Sequence, residues 1–176
     1  MPSDDSPETP PLHVVVMGVA GCGKSIAGAE LASRLALPLI EGDNFHPDGN
    51  IRKMREGTPL TDADRAGWLQ QLAGELRLQP GGAVLTCSAL KRSYRDTLRG
   101  AVPTLHFLHL SLTPHQAMER VAARTDHFYP PSLVASQFET LEDPRGEPHV
   151  LVVDATRHVD RLVEDAARWL AGPSAA

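Results

Sequence analysis

The chain of 176 residues has few cysteines, few aromatic side chains and no excess of positive charge. Its two cysteines, Cys22 and Cys87, occur without a secretion signal, which favours free thiols in a cytosolic protein over a disulfide. No run of about 18 apolar residues is present, so no membrane-spanning helix is expected. A formal net charge of −5 argues against nucleic acid as the main partner. We therefore expect a cytoplasmic protein that binds neither membranes nor nucleic acid.

The remaining composition predicts one globular domain with short tails. Hydrophobic residues make up 41% and charged residues 22% of the chain, and its length suffices for one core but not for two full domains. Residues 1–11 are acidic and rich in proline, which predicts a disordered leader and not a signal peptide. Residues 12–171 are expected to form the domain and residues 172–176 a tail.

A glycine-rich segment near the start of the chain matches the pattern G-x-x-x-x-G-K-[ST]. It follows a valine-rich run, residues 12–17, that predicts a buried parallel strand, and it precedes a helical pattern. A strand, a tight turn and a helix in this order direct backbone N–H groups and the positive end of the helix dipole at one point, which suits a polyphosphate. We predict that a nucleoside triphosphate binds to Gly18, Val19, Ala20, Gly21, Cys22, Gly23, Lys24 and Ser25.

Two side chains of this loop have predicted roles in chemistry. Lys24 is expected to act as a catalytic cation that reaches the β- and γ-phosphates. The Ser25 hydroxyl is expected to bind a phosphate-bridging Mg²⁺, so ATP and Mg²⁺ are the predicted cofactors. The predicted third strand, residues 83–87, has no acidic residue, and a Walker B aspartate of the GTPase type is therefore missing.

Strand-like and helix-like patterns alternate along the chain, which predicts an α/β fold with a parallel sheet flanked by helices. The predicted strands are residues 12–17, 37–40, 83–87, 105–110 and 149–153. The first helix is expected to bury Ile26, Ala27, Ala29, Leu31, Ala32 and Leu35. Capping sequences at Thr61 and Thr113 predict the starts of two further helices, and a short helix is expected near residues 133–138. The helix after Thr61 is expected to bury Trp68, Leu69, Leu72 and Leu76.

Two polar segments interrupt this alternation, residues 44–80 and residues 124–146. Ligands of open α/β sheets bind beyond the carboxyl ends of the strands, where the chain leaves for these segments. A nucleotide site flanked by two mobile segments is typical of a small-molecule kinase, which must exclude water during transfer. We predict that residues 44–80 bind the acceptor substrate and that residues 124–146 form a lid.

Asp43 follows the second predicted strand and is the main candidate for activating the acceptor. Its carboxylate would lie beside the nucleotide loop, where it could bind the acceptor hydroxyl, orient it and take its proton. The alternative is that Asp43 only caps the segment after the strand. His46 is a second candidate for substrate contact, although a single loop histidine is often an ordinary packing residue.

Basic residues follow the carboxyl ends of the second and third strands. Arg52, Lys53 and Arg55 come shortly after His46, and Lys91 follows Ser88. Basic groups at this end of the sheet could bind an anionic, hydroxyl-rich substrate through charge-assisted hydrogen bonds, and the predicted substrate-binding residues among them are Arg52, Lys53, Ser88 and Lys91. Either basic group alone is also compatible with a solvated helix face.

Arg120 and Arg124 are four residues apart and therefore share one helix face. A closing lid would bring their guanidinium groups over the nucleotide phosphates, and a guanidinium can also stack on adenine. Both arginines are predicted to bind the nucleotide, and Arg124 is predicted to be catalytic. The alternative is a pair of surface arginines balanced by Glu119 and Asp126.

Together these motifs resemble the gluconate kinases, a family in the shikimate-kinase and adenylate-kinase-like group of P-loop kinases. The resemblance covers residues 12–170 and is carried by residues 18–25 (GVAGCGKS), 42–47 (GDNFHP), 50–54 (NIRKM), 57–65 (GTPLTDADR), 87–91 (CSALK), 124–128 (RTDHF) and 136–142 (SQFETLE). The P-loop is shared by many proteins, whereas D-x-x-H-P, N-x-x-K-M and C-S-A-L-K are much more specific.

The resemblance implies Mg²⁺-dependent transfer of the ATP γ-phosphate to the 6-hydroxyl of D-gluconate, which yields 6-phosphogluconate. It also implies a P-loop NTPase fold with a five-stranded parallel sheet, a helical substrate-binding insertion, a lid and a homodimer. His127, in the lid segment, is implied to bind the substrate. One departure is Asp126, which stands where the family has glycine. Aspartate adopts a left-handed backbone less readily than glycine, so the conformation of the lid backbone is expected to differ from that of the family.

Two alternatives remain open at this point. Another small polyol-acid kinase of the same fold, such as a shikimate kinase, is disfavoured by the D-x-x-H-P segment and by the insertion with Trp68. A nucleotide-binding module without turnover would need neither an acceptor-site carboxylate nor a basic lid.

Overall fold

The computed structural model describes residues 10–124 and 130–172. Most of the predicted leader, part of the predicted lid with Asp126 and His127, and nearly all of the predicted tail lie outside the described residues. In chain order the elements are β1 (Leu12–Met17), α1 (Lys24–Leu35), β2 (Leu39–Glu41), a 3₁₀ turn (Gly42–Phe45), α2 (Asp48–Arg55), α3 (Asp62–Arg77), β3 (Gly82–Thr86), α4 (Arg92–Ala101), β4 (His106–Ser111), α5 (Pro114–Ala123), α6 (Ser132–Thr140), β5 (Val150–Asp154) and α7 (Val159–Leu170).

The five strands form one parallel sheet in the order β2-β3-β1-β4-β5. The predicted α/β class and the five-stranded parallel sheet are thereby confirmed. β1 lies at the centre, where Val14 pairs with Val84 of β3 on one side and with His106 of β4 on the other. The strand order reverses at β1, so the carboxyl end of this strand is the point where such sheets bind ligands.

β1 has the predicted bounds, and the boundaries of the other four strands differ by one or two residues from those predicted. β2 begins at Leu39 and not at Leu37. Pro38 has no N–H group to donate to a neighbouring strand, although its carbonyl oxygen still accepts a hydrogen bond from the Val84 N–H at 2.9 Å. The ladder of β2 can therefore begin only after this proline.

The buried face of α1 is displaced from the predicted one. Ile26 and Ala29 are exposed, which contradicts the expectation for these two residues, while Ala27 and Leu31 are buried as expected. Gly28 takes part in the buried face instead. A Cβ atom at Gly28 would lie 2.6 Å from Cγ2 of Thr86, so glycine permits α1 to approach β3 closely.

Residues 44–80 contain two helices that frame the space beside the sheet. The capping box at Thr61 is present, with the Thr61 hydroxyl accepting a hydrogen bond from the Asp64 N–H. α3 buries the expected face of Trp68, Leu69, Leu72 and Leu76. The Trp68 Nε1–H donates to the Gly42 carbonyl oxygen at 2.8 Å, which fastens α3 to the turn after β2.

The described part of the predicted lid consists of Arg124 and residues 130–146, which contain α6. Its far end is attached to the core, because the Glu142 N–H donates to the Leu90 carbonyl oxygen at 2.7 Å. The Glu142 carboxylate also accepts a hydrogen bond from the Arg92 N–H at 2.8 Å. Closure of this segment over a nucleotide stays a prediction.

Both cysteines are buried and unbridged, as expected. Burial raises the pKa of the Cys87 thiol to about 12. Among residues 10–124 and 130–172, no helix is both long and apolar enough to cross a bilayer.

Candidate active site

The glycine-rich loop connects β1 to α1 and comprises residues 18–23. Gly21 and Gly23 have φ angles of 83° and 93°, a left-handed backbone that glycine adopts more readily than other residues. The loop therefore turns back over the first residues of α1, where unpaired N–H groups and the helix dipole favour an anion. The Lys24 ammonium folds over the same loop and donates to the carbonyl oxygens of Gly18 at 2.9 Å and Val19 at 3.1 Å.

A carboxylate from the neighbouring strand reaches the first turn of α1. The Ser25 hydroxyl donates a hydrogen bond to Glu41 Oε2 at 3.2 Å, and the Thr86 hydroxyl donates to the same oxygen at 2.6 Å. Glu41 ends β2 and Thr86 ends β3, so two adjacent strands bring these side chains to the P-loop. β3 has no Walker B aspartate, but Glu41 of β2 supplies a carboxylate next to the P-loop instead.

Ser25 and Glu41 fit a magnesium ion held on the phosphates. Hydroxyl and carboxylate oxygens are ligands that Mg²⁺ prefers, and the ion usually completes its shell with water and phosphate oxygens. Among the described residues, no group of three or more histidine, cysteine or acidic side chains is arranged to hold a metal ion. Sequence reasoning missed Glu41, although an acidic residue directly after a buried strand was a usable signal.

A cavity of about 720 Å³ extends from the P-loop to α2 and α3. The predicted site residues that line it are Gly21, Gly23, Lys24, Ser25, Asp43, His46, Ser88 and Arg124, together with Ala20. The cavity thus brings the loop for the nucleotide and the candidate acceptor carboxylate into one space. Its apolar lining includes Ile26, which explains why this residue of α1 remains exposed.

Asp43 is directed into the cavity by the 3₁₀ turn after β2. A Cβ atom at Gly42 would collide with the carbonyl oxygen of Thr86, so the turn can pack on β3 only with glycine there. The Gly42 N–H donates to the Thr86 hydroxyl oxygen at 3.3 Å, which fixes the turn on the sheet. The Asp43 side chain, by contrast, is 84% exposed and available to a ligand.

His46 lies against one wall of the same cavity. Its ring stacks on Trp68 with a centroid distance of 4.0 Å and an interplanar angle of 16°. Its Nε2 atom is 3.8 Å from Asp43 Oδ1. Burial lowers the pKa of His46, an effect that the Asp43 carboxylate opposes and Arg65 reinforces. The imidazole is therefore neutral at pH 7, next to an exposed carboxylate.

Three of the predicted substrate cations do not line the cavity. The Lys53 ammonium binds both carboxylate oxygens of Asp64, at 2.8 and 3.0 Å. These hydrogen bonds, followed by those with Thr61, lower the pKa of Asp64 to about 2. Lys91 binds Asp62 at 3.0 Å.

The third of these cations is Arg52, which lies on an exposed part of α2. Contact of Arg52, Lys53 and Lys91 with the substrate stays a prediction, and so does contact of His127, which lies outside the described residues.

Two other arginines line the cavity instead, Arg55 from α2 and Arg65 from α3. Arg65 is only 8% exposed, and its Nη1 donates to the Leu60 carbonyl oxygen at 2.8 Å and to the Tyr94 hydroxyl at 3.1 Å. Arg55 belongs to the basic cluster recognised after His46, although it was not among the predicted site residues, and Arg65 was missed. The signal for Arg65 was its position three residues before Trp68, on the buried face of the same helix.

Arg120 of α5 and Arg124, the residue that caps its carboxyl end, have different surroundings. Arg120 Nη2 donates to the Ala155 carbonyl oxygen at 2.8 Å, and its Nη1 lies 3.4 Å from the carbonyl oxygens of Gly21 and Cys22. Arg120 therefore connects the P-loop to the segment after β5. Arg124, at the end of α5, borders the cavity. Nucleotide binding by either arginine stays a prediction.

Sequence comparison identifies clear relatives, although no family model matches the chain. The chain is 45% identical over 161 residues to a gluconokinase of Gluconobacter oxydans (strain 621H), a match that covers 90% of each chain. It is 38% identical over 154 residues to the thermosensitive gluconokinase of Escherichia coli (strain K12), covering 85% of this chain and 82% of that protein.

A solved structure is also similar. The crystal structure of a gluconokinase from Sinorhizobium meliloti 1021 superimposes with a TM-score of 0.85 and 47% sequence identity. The superposition covers 92% of this chain and 93% of that one.

Proposed function

The chain belongs to the gluconokinase family, and we propose that its cavity transfers the γ-phosphoryl group of ATP to the 6-hydroxyl of D-gluconate. The observation that carries this proposal is that one cavity joins the P-loop residues Lys24 and Ser25 to the exposed carboxylate of Asp43. The relatives are gluconokinases, so a shikimate-kinase-like activity is not favoured. A module without turnover is not favoured either, because these relatives are kinases.

The P-loop half of the cavity binds and orients the triphosphate. Backbone N–H groups of the loop and the start of α1 donate to phosphate oxygens. Lys24 exchanges its carbonyl partners for the β- and γ-phosphates, and its charge stabilises the oxygens of the transferred group. Arg124 borders the same space and adds a second cation as the lid closes. Phosphoryl transfer depends mainly on such positioning and charge stabilisation.

Ser25 and Glu41 would hold the Mg²⁺ that accompanies the nucleotide. The ion would supply positive charge that offsets the charge of the phosphates. Ser25 offers its hydroxyl oxygen directly, and Glu41 lies 3.2 Å from that hydroxyl, close enough to bind the ion or one of its waters. Thr86 keeps the Glu41 carboxylate in place by donating to it.

The opposite half of the cavity binds the acceptor. Asp43 orients the 6-hydroxyl towards the γ-phosphate and takes its proton as the new bond forms. The carboxylate of gluconate requires a cation, and Arg55 and Arg65 supply guanidinium groups on the cavity wall. Ser88 offers a further hydroxyl to the polyol chain. Arg52, Lys53 and Lys91 can add to this binding only if they exchange their present surroundings for the substrate.

A homodimer and a cytoplasmic location complete the proposal. The homodimer rests on the resemblance to the family, and the cytoplasmic location rests on two unbridged cysteines in a chain without a recognised secretion signal. Sedimentation equilibrium of the purified protein tests the first, since the chain mass of 19.0 kDa distinguishes a monomer from a dimer.

A coupled assay of ADP release tests the proposed reaction. D-gluconate, other aldonates and shikimate are offered in turn with ATP and Mg²⁺, and gluconate is expected to give the highest kcat/KM. Lys24→Ala should reduce turnover of gluconate by about 100-fold or more, because the developing charge on the γ-phosphate loses its cation. Turnover of shikimate but not gluconate, or a Lys24→Ala variant within about threefold of wild type, would overturn the proposal.

A further inference from the structure

Asn50 is a buried polar side chain next to the proposed acceptor site, with 4% of its surface exposed. It lies on α2, four residues after His46. Its Nδ2 atom donates a hydrogen bond to the backbone carbonyl oxygen of Asp64 at 2.9 Å and lies 3.2 Å from Nδ1 of His46. A single amide nitrogen therefore bridges α3 and the histidine.

The carbonyl partner determines which end of the Asn50 amide faces His46. The Asp64 carbonyl oxygen can only accept, so the nitrogen and not the oxygen of the amide must face it. Because that nitrogen carries two hydrogens, one goes to Asp64 and the second is directed at Nδ1 of His46. His46 Nδ1 must then be the acceptor, which requires that it carry no proton.

The consequence lies at the other ring nitrogen. A neutral imidazole with an unprotonated Nδ1 carries its hydrogen on Nε2. That nitrogen lies 3.8 Å from Asp43 Oδ1, at the cavity wall. The stack on Trp68 holds the ring plane, so the Nε2–H group has a fixed direction. Asp43 and Arg65 are the charged groups that act on the ring, with opposite effects on its protonation.

We propose that Asn50 is a positioning residue that holds His46 in the Nε2–H tautomer, so that His46 donates a hydrogen bond to an acceptor hydroxyl beside Asp43. In this arrangement His46 cannot take the proton of the 6-hydroxyl, because its only unprotonated nitrogen faces Asn50. The role of base is left to Asp43, and His46 contributes to binding and orientation. This inference rests on the proposed gluconate kinase activity and assigns the division of labour within its acceptor site.

The tautomer can be measured directly, without substrate, by ¹⁵N NMR of the histidine rings at neutral pH. The His46 signals are assigned by their absence in His46→Gln. In wild type we expect a protonated Nε2 and an unprotonated Nδ1. Asn50→Asp presents an acceptor to Nδ1, so the proton should move to Nδ1. A protonated Nδ1 in wild type would overturn the proposal, whatever the outcome of the activity assays.

Kinetics separate donation by His46 from action as a base. Asn50→Asp and His46→Leu should each raise KM for gluconate about five- to tenfold, the effect of losing one hydrogen bond, with KM for ATP changed less than about twofold. His46→Gln places an amide N–H near the former Nε2 position but cannot accept and release the reacting proton. The increase in KM for gluconate should therefore be clearly smaller in His46→Gln than in His46→Leu.

Equal loss of kcat in His46→Gln and His46→Leu would show that His46 acts as a base and would refute the inference. Gln71→Ala, which removes an exposed amide from α3, serves as the matched control, and its kcat and KM for gluconate should equal those of wild type. If Asn50→Asp fails to fold, the comparison of the two His46 variants and the wild-type NMR spectrum still decide the question. If the wild-type protein does not phosphorylate gluconate, the proposed function is refuted. The NMR spectrum would still decide whether Asn50 sets the tautomer of His46, because that measurement needs no substrate.

Discussion

The side-chain oxygen of Gln137 accepts a hydrogen bond from the backbone N–H of Ala20 at 2.6 Å, across 117 positions of the chain. Ala20 belongs to the P-loop and Gln137 to α6, which lies within the predicted lid segment, residues 124–146. An N–H group of the phosphate-binding loop thus has a partner from the segment expected to close over it. Both residues border the cavity, so this contact couples α6 to the place where the nucleotide binds.

Gln137→Glu and Gln137→Ala test this coupling as a pair. Glutamate still accepts from Ala20 but adds a negative charge beside the triphosphate, so ATP affinity should fall about tenfold or more. Alanine only frees the N–H group, and the affinity should change less than about fivefold, in line with one hydrogen bond. Isothermal titration with MgATP, without gluconate, measures both. Equal affinities in the two variants would show that Gln137 lies away from the phosphates.

Glu41→Gln tests the proposed magnesium site. The amide keeps the size of the side chain and can still accept from Thr86, but it lacks the charge that attracts the cation. We expect the Mg²⁺ concentration for half-maximal activity to rise about tenfold, the usual effect of weakening a residue next to a metal. Glu30→Gln, an exposed acidic residue of α1, is the control. An unchanged Mg²⁺ dependence would show that Glu41 does not act on the ion and only accepts the hydrogen bonds from Ser25 and Thr86.

Asp43→Asn tests the proposed base. The substitution is nearly isosteric at an exposed side chain, so the melting temperature and the affinity for ATP should match wild type. The rate of a single turnover with gluconate should fall about 100- to 1,000-fold, the lower half of the range for a general base, because the demand for a base is weaker in phosphoryl transfer. If the variant folds, binds ATP normally and its single-turnover rate falls less than about tenfold, Asp43 is not the base and only caps the segment after β2.

Lys53→Ala and Lys91→Ala decide between two roles of the lysines that bind the acidic residues at the start of α3. If they bind gluconate, KM for gluconate should rise more than KM for ATP, as we predict. If their bonds to Asp64 and Asp62 only anchor α3, gluconate affinity measured by titration will be unchanged while the melting temperature falls. Because both pairs are partly exposed, any loss of stability should be small.

A buried ion pair makes the unfolding free energy depend on pH. Arg95 is fully buried and binds Glu147 at 2.6 Å, and Arg99 binds the same carboxylate at 2.9 Å. Burial by itself raises the pKa of Glu147, but the hydrogen bonds from both arginines outweigh it and hold the pKa below the usual 4.5. A depressed folded pKa stabilises the protein above pH 4.5, and this contribution is lost as the pH falls through the folded pKa.

Glu147→Gln should therefore lower the unfolding free energy at pH 7 by about 3 kcal/mol, because Arg95 is left buried without its counter-charge. Below pH 4.5 the free energy of the variant should fall less steeply than that of wild type. Urea unfolding between pH 7 and pH 3 measures both. Asp143→Asn, which removes an exposed partner of Arg145, should change stability by less than about 0.5 kcal/mol. The same pH profile in wild type and Glu147→Gln would contradict the prediction.

Several parts of the site could be recognised from residues that are neighbours in the chain. The P-loop, the capping boxes at Thr61 and Thr113 and the buried face of α3 depend on local backbone geometry, which short patterns encode directly. The displaced face of α1 shows the limit of such patterns. The exposure of Ile26 depends on where the cavity opens, and the burial of Gly28 depends on how closely β3 approaches.

The candidate cations show the same limit from another side. Basic residues near the ends of strands predicted an anion-binding rim, but their acidic partners are contributed by the capping segment of α3. Lys53 meets Asp64 and Lys91 meets Asp62 only because α3 packs beside both. Arg65 looked like an ordinary helical residue and yet borders the cavity. No periodicity distinguishes a cation bound to a carboxylate of the protein from one available to a substrate.

The sequence by itself determined the α/β class, the nucleotide loop and the position of Asp43 after β2, because each depends on a few consecutive residues. Only the tertiary structure decided that Glu41 meets Ser25, that Asn50 orients His46 and that Gln137 reaches Ala20. The first of these contacts requires β2 to lie beside β3 and close to β1, an order that the alternation of strands and helices does not specify. The physical reason is that local conformation follows from short-range sterics and capping, whereas contacts between distant segments follow from how whole elements pack.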